Sequence, residues 1–308
     1  MTTALFTHPV CIDHDPGSGH PESPGRLKSV MDALAVVEFE ALDRREAPVS
    51  DLVAIKAVHQ PEFVDLVMEN IPETGQVFLD PDTALSPQSG NAALRAVGGC
   101  LAAVDAVMED EIQNAFCAVR PPGHHAESSR SMGFCVFNNV VVAADYARTK
   151  HGLSRVAVVD FDVHHGNGTQ HFFEKDQDLF YASSHQFPYY PGTGAKSETG
   201  VGNIVNLPMA AGEGSDAFRK GYSRELLPAL REFDPDLLII SAGFDAHARD
   251  PLAEIGLTED DFTWVTQELR KIAEDCCDGR LVSSLEGGYN LDALALSTAA
   301  HVRVLLEK

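Results

Sequence analysis

Short apolar segments rich in β-branched residues alternate along this chain with longer segments whose apolar residues recur at helical spacing. The first pattern occupies residues 4–8, 115–120, 155–163, 178–185, 203–209, 236–244 and 280–288. The second pattern occupies residues 91–110, 137–150, 215–233 and 258–276. Strands that are apolar on both faces and separated by helices are typical of a parallel sheet covered by helices. The sequence therefore predicts an α/β protein with right-handed crossovers between its strands.

Size and continuity indicate one folding unit. The chain has 308 residues, of which 44% are hydrophobic and 22% charged, and this is enough for a substantial core. We find no Pro-, Gly- or Ser-rich linker, internal repeat or low-complexity tract that would divide it. We therefore expect a single domain over residues 1–308.

Charge and hydropathy restrict the kinds of partner that the protein is expected to bind. The net charge of −23 repels phosphate backbones and predicts no nucleic-acid partner. An acidic surface can steer cationic substrates toward a cleft, or serve solubility alone. No segment approaches 18 uninterrupted apolar residues, so no membrane partner is predicted. The first residues lack a signal-peptide pattern and the six cysteines lack a disulfide-type pattern, so we expect a cytoplasmic location with reduced thiols.

Four predicted strands run into polar or glycine-rich segments. These segments are PPGHHAESSRSMGF, HHGNGTQ, DAHARDPL and YN, which follow the strands at 115–120, 155–163, 236–244 and 280–288. Ligands of open α/β sheets bind beyond the carboxyl ends of the strands. Because four such ends can converge on one crevice, the sequence predicts a functional site there.

The segment VVDFDVHHGNG, residues 158–168, is the first candidate for a metal site. Alternate side chains of an extended segment share a face, so Asp162 and His164 can bind one cation. An Asp and a His at a strand end also commonly cap neighbouring loops, and a third ligand decides between these interpretations. Asp245 in SAGFDAH is the candidate. Two Asp and one His with an open position are typical of catalytic zinc sites, although Fe²⁺, Co²⁺ or Mn²⁺ also accept such ligands.

Two adjacent histidines and one tyrosine are candidates for proton transfer. Near a catalytic metal, the neutral imidazole of His124 or His125 can take a proton from water while the other assists the leaving group. Adjacent histidines in a core more often serve as isolated hydrogen-bond partners. Asp160 and Asn167 are the candidates for orienting them. Tyr289, after two glycines, is either a packing residue or a donor to a developing oxyanion.

Seven motifs in a fixed order give these residues a common context. They are HPESPGR, RPPGHHA, GFCVFNN, DFDVHHGNGT, PGTG, SAGFDAHARDPL and EGGYN, and together they span nearly the whole chain. In this order the motifs resemble the zinc-dependent histone deacetylase and acetylpolyamine amidohydrolase superfamily, and most of all its class II-like bacterial members. The resemblance implies an arginase–deacetylase fold in one deacetylase-like catalytic domain. Its centre would be a mostly parallel eight-stranded sheet with helices on both faces.

The resemblance also implies roles for the metal and proton-transfer residues. The positions that match the zinc ligands are Asp162, His164 and Asp245. His125 matches the general base and acid, His124 its electrostatic partner, Asp160 the carboxylate that pairs with His124, and Tyr289 the transition-state tyrosine. The backbone around Asp160, Asp162 and His164, together with Ser183, matches a structural potassium site.

Further matches concern the substrate. Phe134 and Tyr190 match the aromatic pair that walls an acyl-lysine tunnel, with Gly133 beside them, although such aromatic residues are usually core residues. Arg26 matches a buried arginine near a channel for acetate release. Asp80 is chosen as the rim aspartate that grips the substrate backbone, and Asp82 in the same LDPDT segment is the alternative.

Two departures from the family pattern bear on chemistry. Asn167 stands where some members have a second aspartate, and class II-like members share the asparagine. A neutral amide stabilises imidazolium less than a carboxylate does, so we expect His125 to stay neutral near pH 7. Leu252 stands where polyamine-selective members tend to carry a glutamate, which argues against strict polyamine specificity.

The resemblance implies zinc-dependent removal of an acyl group, most simply acetyl, from acetyl-lysine or a similar amine. An acetylpolyamine amidohydrolase is the nearest alternative. A manganese ureohydrolase of the same fold would need a second metal with bridging carboxylates, and a non-enzymatic acyl-lysine-binding module would not need His124, His125 and Tyr289. The acyl chain, the physiological substrate and the oligomeric state, which includes a possible homo-oligomer, stay open.

Overall fold

Eight parallel strands form the centre of the protein in a computed structural model that describes residues 2–307. The sheet strands are β1 (Thr3–Thr7), β2 (Asp43–Glu46), β5 (Asn114–Cys117), β6 (Val156–Asp160), β7 (Leu179–Gln186), β8 (Ile204–Met209), β9 (Leu237–Ala242) and β10 (Leu281–Leu285). Their order is β2–β1–β5–β10–β9–β6–β7–β8, and all neighbours are parallel. A separate antiparallel pair consists of β3 (Val77–Phe78) and β4 (Ala84–Leu85).

Helices connect the strands. They are α1 (Val10–Asp13), α2 (Pro24–Ala33), α3 (Leu52–Val58), α4 (Pro61–Glu69), α5 (Ser89–Met108), α6 (Asn139–His151), α7 (Asn167–Phe173), α8 (Ser215–Gly221), α9 (Leu227–Phe233), α10 (Glu259–Cys277) and α11 (Leu291–Leu306). A 3₁₀ turn at Val37–Phe39 and a π-helical turn at Tyr222–Leu226 complete the connections. The predicted α/β architecture, the arginase–deacetylase fold with helices around an eight-stranded sheet, is confirmed, and the sheet is entirely parallel rather than mostly so.

The seven segments of strand pattern all contribute strands, as their apolar runs predict. The eighth strand, β2, has the sequence DRRE and alternates between half-buried and exposed residues. It is an edge strand that contacts β1 alone. A short charged edge strand has no apolar run, and for this reason the pattern did not reveal it.

The sheet order brings the four chemically unusual strand ends together. β5, β10, β9 and β6 are consecutive neighbours in the middle of the sheet. Since they are parallel, the segments that follow them emerge at the same edge. The polar segments after residues 117, 160, 242 and 285 therefore surround one crevice.

One hydrophobic core extends from Ala4 to Leu305, and the single domain over residues 1–308 stays a prediction. Met1 and Lys308, the ends of that predicted domain, lie outside the described residues. α5 is long and apolar enough to cross a membrane by length and composition, but 67% of its apolar window is buried within the fold. It packs as a core helix against β1, β5 and α6.

His301 gives the core a pH dependence. It lies fully buried on α11, with Nδ1 2.7 Å from the Thr266 hydroxyl and Nε2 2.9 Å from the Ser283 hydroxyl. Burial lowers the pKa of His301 from 6.5 to about 3. Below pH 6.5 the unfolded chain therefore binds a proton that the folded protein does not. The stability that this group contributes is present above pH 6.5 and is lost as the pH falls toward 3.

We predict that His301→Gln makes stability less sensitive to acid. Between about pH 7.5 and about pH 5.5, the free energy of unfolding of the unsubstituted protein should fall by about 1 kcal/mol more than that of the variant. Urea denaturation at both pH values measures the free energy of unfolding of each protein. The difference between the two proteins near pH 7.5 gives the separate effect of changed packing. Equal losses for the two proteins would contradict the assignment of a neutral buried imidazole.

Candidate active site

Asp162, His164 and Asp245 converge at the centre of the crevice. Asp162 and His164 follow β6, and Asp245 follows β9, the neighbouring strand. The Nδ1 atom of His164 lies 3.1 Å from Oδ1 of Asp162 and 3.0 Å from Oδ2 of Asp245. One ligand atom from each residue lies within 4.8 Å of the others. The structure thus brings together the three predicted metal ligands from sequence positions about 80 residues apart.

Glycines make room for these carboxylates. A Cβ atom at Gly243 would overlap the Asp162 carboxylate, and one at Gly287 would overlap that of Asp245. The Gly287 amide donates to Oδ2 of Asp162 at 2.8 Å, and the Val163 amide donates to Oδ1 of Asp245 at 2.8 Å. Backbone therefore approaches both carboxylates closely and holds their direction.

The buried side chains of Asp162, His164 and Asp245 form a site that attracts positive charge. Burial opposes protonation of His164, but Asp162 and Asp245 outweigh it and raise its pKa to about 10. Burial and repulsion from Asp162 raise the pKa of Asp245 to about 7. Two carboxylates and one imidazole with open space beside them suit a catalytic divalent cation, which competes with protons for such ligands. The donor set therefore fits the implied metal.

His124 pairs with carboxylates. Its Nδ1 lies 3.0 Å from Oδ2 of Asp160, and its Nε2 lies 3.8 Å from Oδ2 of Asp162. Tyr181 also donates to Asp160, at 3.0 Å. Burial alone would lower the pKa of His124, but Asp162 and Asp160 outweigh it and raise the pKa to about 10. His124 is therefore suited to remain protonated.

His125 pairs with an amide instead. Its Nδ1 lies 2.8 Å from Oδ1 of Asn167, the first residue of α7. Burial lowers the pKa of His125 well below 6.5, and repulsion from His124 and His164 acts in the same direction. A neutral His125 matches the sequence-based expectation and is suited to accept a proton.

A cavity of about 180 Å³ leads to these groups. Its lining combines the metal and proton-transfer residues with apolar and aromatic walls: Asp82, His125, Gly133, Phe134, His164, Tyr189, Tyr190, Leu252 and Tyr289. The Phe134 and Tyr289 rings meet edge to face at 5.8 Å, and the Tyr190 ring meets that of His125 at 5.2 Å.

Tyr289 is held from two sides. Asp250 accepts from the Tyr289 amide at 2.6 Å, and the Arg26 guanidinium lies 4.9 Å from the centre of the Tyr289 ring. Arg26 also donates to the Gly288 carbonyl at 2.6 Å and forms an ion pair with buried Glu22. Burial raises the pKa of Tyr289 well above its usual range, so its hydroxyl remains a donor.

The structure gives further contacts for two of the predicted residues, Asp80 and Ser183. Asp82 is one of the described residues that line the cavity and Asp80 is not, and the rim role of Asp80 stays a prediction with Asp82 as its alternative. The Asp80 carboxylate instead accepts from the amides of Asp82 and Thr83 in a tight turn. Ser183 faces Asp160 across the β6–β7 ladder and hydrogen-bonds His185 at 2.8 Å, and the potassium site stays a prediction.

Two residues around the site, Tyr189 and Glu127, were not singled out from the sequence. Tyr189 stacks on His164 at 5.9 Å and donates to the Leu252 carbonyl at 2.7 Å. Glu127 accepts from Asn167 at 2.7 Å. The adjacent tyrosines before PGTG were a visible signal for Tyr189, whereas no local pattern marks Glu127.

Comparisons with known proteins agree with this geometry. The family described as Histone deacetylase domain matches residues 20–305. Histone deacetylase 10, chloroplastic, of Oryza sativa subsp. japonica is 38% identical, over 93% of this chain and 70% of its own length. The histone deacetylase-like amidohydrolase of Pseudomonas aeruginosa is 37% identical, over 94% of this chain and 82% of its own length.

A solved structure gives the same result for the fold. The crystal structure of the HDA15 HD domain matches with a TM-score of 0.93 at 34% identity, covering 98% of this chain and 88% of that one. With the family match, this identifies a hydrolase that acts on amides. The chain belongs to the histone deacetylase family.

Proposed function

We propose that the protein is a zinc-dependent amidohydrolase that removes an acyl group, most simply acetyl, from an N-acylated amine such as acetyl-lysine. One observation carries the proposal: His125, His164 and Tyr289 all line one cavity of about 180 Å³. Asp162 and Asp245 complete a ligand set around the His164 imidazole. Amide hydrolysis requires an acid–base group, a hydroxyl donor and a cation site around one cavity, and this chain offers candidates for all three.

Asp162, His164 and Asp245 would hold the metal. Zn²⁺ is proposed because two carboxylates and one imidazole leave an open position, and Fe²⁺ or Co²⁺ would accept the same ligands. A divalent cation in this place polarises the substrate carbonyl and makes water more acidic. A structural K⁺ near Asp160 and Ser183 is proposed from family resemblance alone.

The chain's own groups divide the proton transfers. Neutral His125 accepts a proton from the attacking water through Nε2, because Nδ1 is engaged by Asn167. The Tyr289 hydroxyl donates to the oxygen on which negative charge develops. A protonated imidazole then gives its proton to the leaving amine, while the Asp160 carboxylate keeps His124 oriented and charged.

The cavity walls support a linear acyl-amine chain as substrate. The walls present the aromatic and aliphatic surfaces of Phe134, Tyr189, Tyr190 and Leu252. Asp82 contributes a carboxylate to the same walls. Leu252 at the wall favours an acyl-lysine side chain over a small dicationic polyamine, which remains the second candidate. A cytoplasmic location, the absence of nucleic-acid and membrane partners, and a possible homo-oligomer stay predictions.

A substrate panel tests the proposal. We expect the zinc-loaded protein to hydrolyse an acetyl-lysine peptide with a higher kcat/KM than N-acetylputrescine, and the protein treated with a chelator to lose activity toward both. Longer acyl-lysine peptides are included, because a pocket distinguishes one methylene by only about 1–3 kcal/mol. Preference for the polyamine would favour the second candidate, and no turnover of any acyl amine would contradict the proposal.

Tyr289→Phe removes the hydroxyl donor while keeping the ring that contacts Phe134 and Arg26. We predict that kcat falls by about 10²–10³, because one donor to the oxyanion is lost. Steady-state kinetics measures the loss, and an unchanged Tm shows that the fold is intact. Tyr190→Phe is the matched control, with a smaller expected effect since its hydroxyl has no assigned role in catalysis. Near-normal turnover of Tyr289→Phe would remove Tyr289 from the mechanism.

Asn167→Asp replaces the amide beside His125 with a carboxylate. A negative charge favours imidazolium, so the pKa of His125 rises and its neutral, basic form requires a higher pH. We predict that the acid limb of the kcat/KM profile moves up by about 1–3 pH units. The substitution is made together with Glu127→Gln, so that two carboxylates do not face each other, and Glu127→Gln alone is the control. An unmoved acid limb would argue against His125 as the base.

A further inference from the structure

An asparagine beside a histidine can fix the histidine's proton only if the amide itself is fixed. Oδ1 of Asn167 accepts a hydrogen bond, whereas Nδ2 donates one, and the two ends have nearly the same shape. If Nδ2 faced His125, Nδ1 of the imidazole would become an acceptor and Nε2 would carry the proton. In that tautomer Nε2 cannot take a proton from water.

Glu127 removes this ambiguity. Its Oε1 lies 2.7 Å from Nδ2 of Asn167, and a carboxylate only accepts hydrogen bonds. Nδ2 must therefore face Glu127, which leaves Oδ1 facing Nδ1 of His125 at 2.8 Å. The same Nδ2 lies 3.4 Å from the His125 carbonyl, an acceptor that favours the same orientation.

Glu127 is itself held in place and kept charged. Arg130 donates to both carboxylate oxygens, at 2.9 Å to Oε2 and 2.8 Å to Oε1. Although burial acts in the opposite direction, the hydrogen bonds from Arg130 and Asn167 lower the pKa of Glu127. The Glu127 carbonyl accepts from Nδ1 of buried His59 at 2.9 Å, which anchors the backbone as well.

We propose that Glu127 is a positioning residue that orients the Asn167 amide and thereby keeps the proton of His125 on Nδ1 and the lone pair on Nε2. The inference rests on the proposed role of His125 as the base. It adds a carboxylate that does not line the substrate cavity and acts only through Asn167.

Glu127→Met tests this proposal, because it keeps the side-chain length and removes the acceptor. We expect kcat to fall by about 10–100-fold with little change in KM, since the wrong tautomer is inactive but substrate contacts persist. Glu127→Gln should restore part of the activity, because its carbonyl oxygen can still accept from Asn167. Arg130→Met, which removes the exposed ion pair but leaves the carboxylate, should lower kcat by no more than about fivefold.

The decisive readout is the tautomer of His125, which is independent of turnover. ¹⁵N-labelled histidine resolves the two ring nitrogens by long-range ¹H–¹⁵N correlation, and the His125→Ala spectrum identifies the signal among the 13 histidines. We expect protonated Nδ1 in the unsubstituted protein and a mixture of tautomers in Glu127→Met. An unchanged tautomer in Glu127→Met would overturn the proposal, as would equal effects of Glu127→Met and Arg130→Met. If the unsubstituted protein hydrolyses no acyl amine but the tautomer shift occurs, the proposed function fails and this assignment stands.

Discussion

Four of the buried carboxylates of this protein surround the imidazoles of the candidate active site. Asp160, Asp162, Asp245 and Glu286 are each at most 1% exposed. An isolated ionised carboxylate costs far more to bury than a fold's net stability of about 5–15 kcal/mol. The site therefore depends on partners for these charges, among them His124 and the backbone amides of Gly287 and Val163. The same buried negative charge that is costly to fold gives the site its attraction for positive charge.

The sheet topology makes such a concentration of charge possible. Because β5, β10, β9 and β6 are consecutive and parallel, segments from distant parts of the sequence meet at one edge. The N-terminal region contacts that edge through Arg26, which belongs to a buried cluster of charged side chains. Glu22, fully buried, accepts from Arg26 at 2.9 Å and from Nη2 of Arg120 at 2.7 Å, and it lies 3.3 Å from Nε2 of His14. Arg26 joins this buried cluster to the backbone next to Tyr289, since it donates to the Gly288 carbonyl at 2.6 Å.

Features that produce a periodic pattern or an unusual chemical motif could be predicted from the sequence. Strands apolar on both faces were predictable, and so were Asp162 and His164 through their alternation. The charged edge strand β2 has neither an apolar pattern nor such a motif. Phe134 and Tyr190 look like ordinary core aromatic residues until a family pattern places them. In LDPDT, spacing alone does not tell which aspartate faces inward, because that depends on the turn in which the Asp80 carboxylate accepts two backbone amides.

The two adjacent histidines show why some positioning residues escape sequence reasoning altogether. His124 is paired with the Asp160 carboxylate. Either carboxylate oxygen can accept a hydrogen bond, so a rotated carboxylate would make the same contact. His125 is paired with the Asn167 amide, of which only one end accepts. An amide favours imidazolium less than a carboxylate does, but it creates a second requirement, namely a group that distinguishes its two ends. Glu127 meets that requirement through one hydrogen bond across a loop, a relation that exists only in three dimensions.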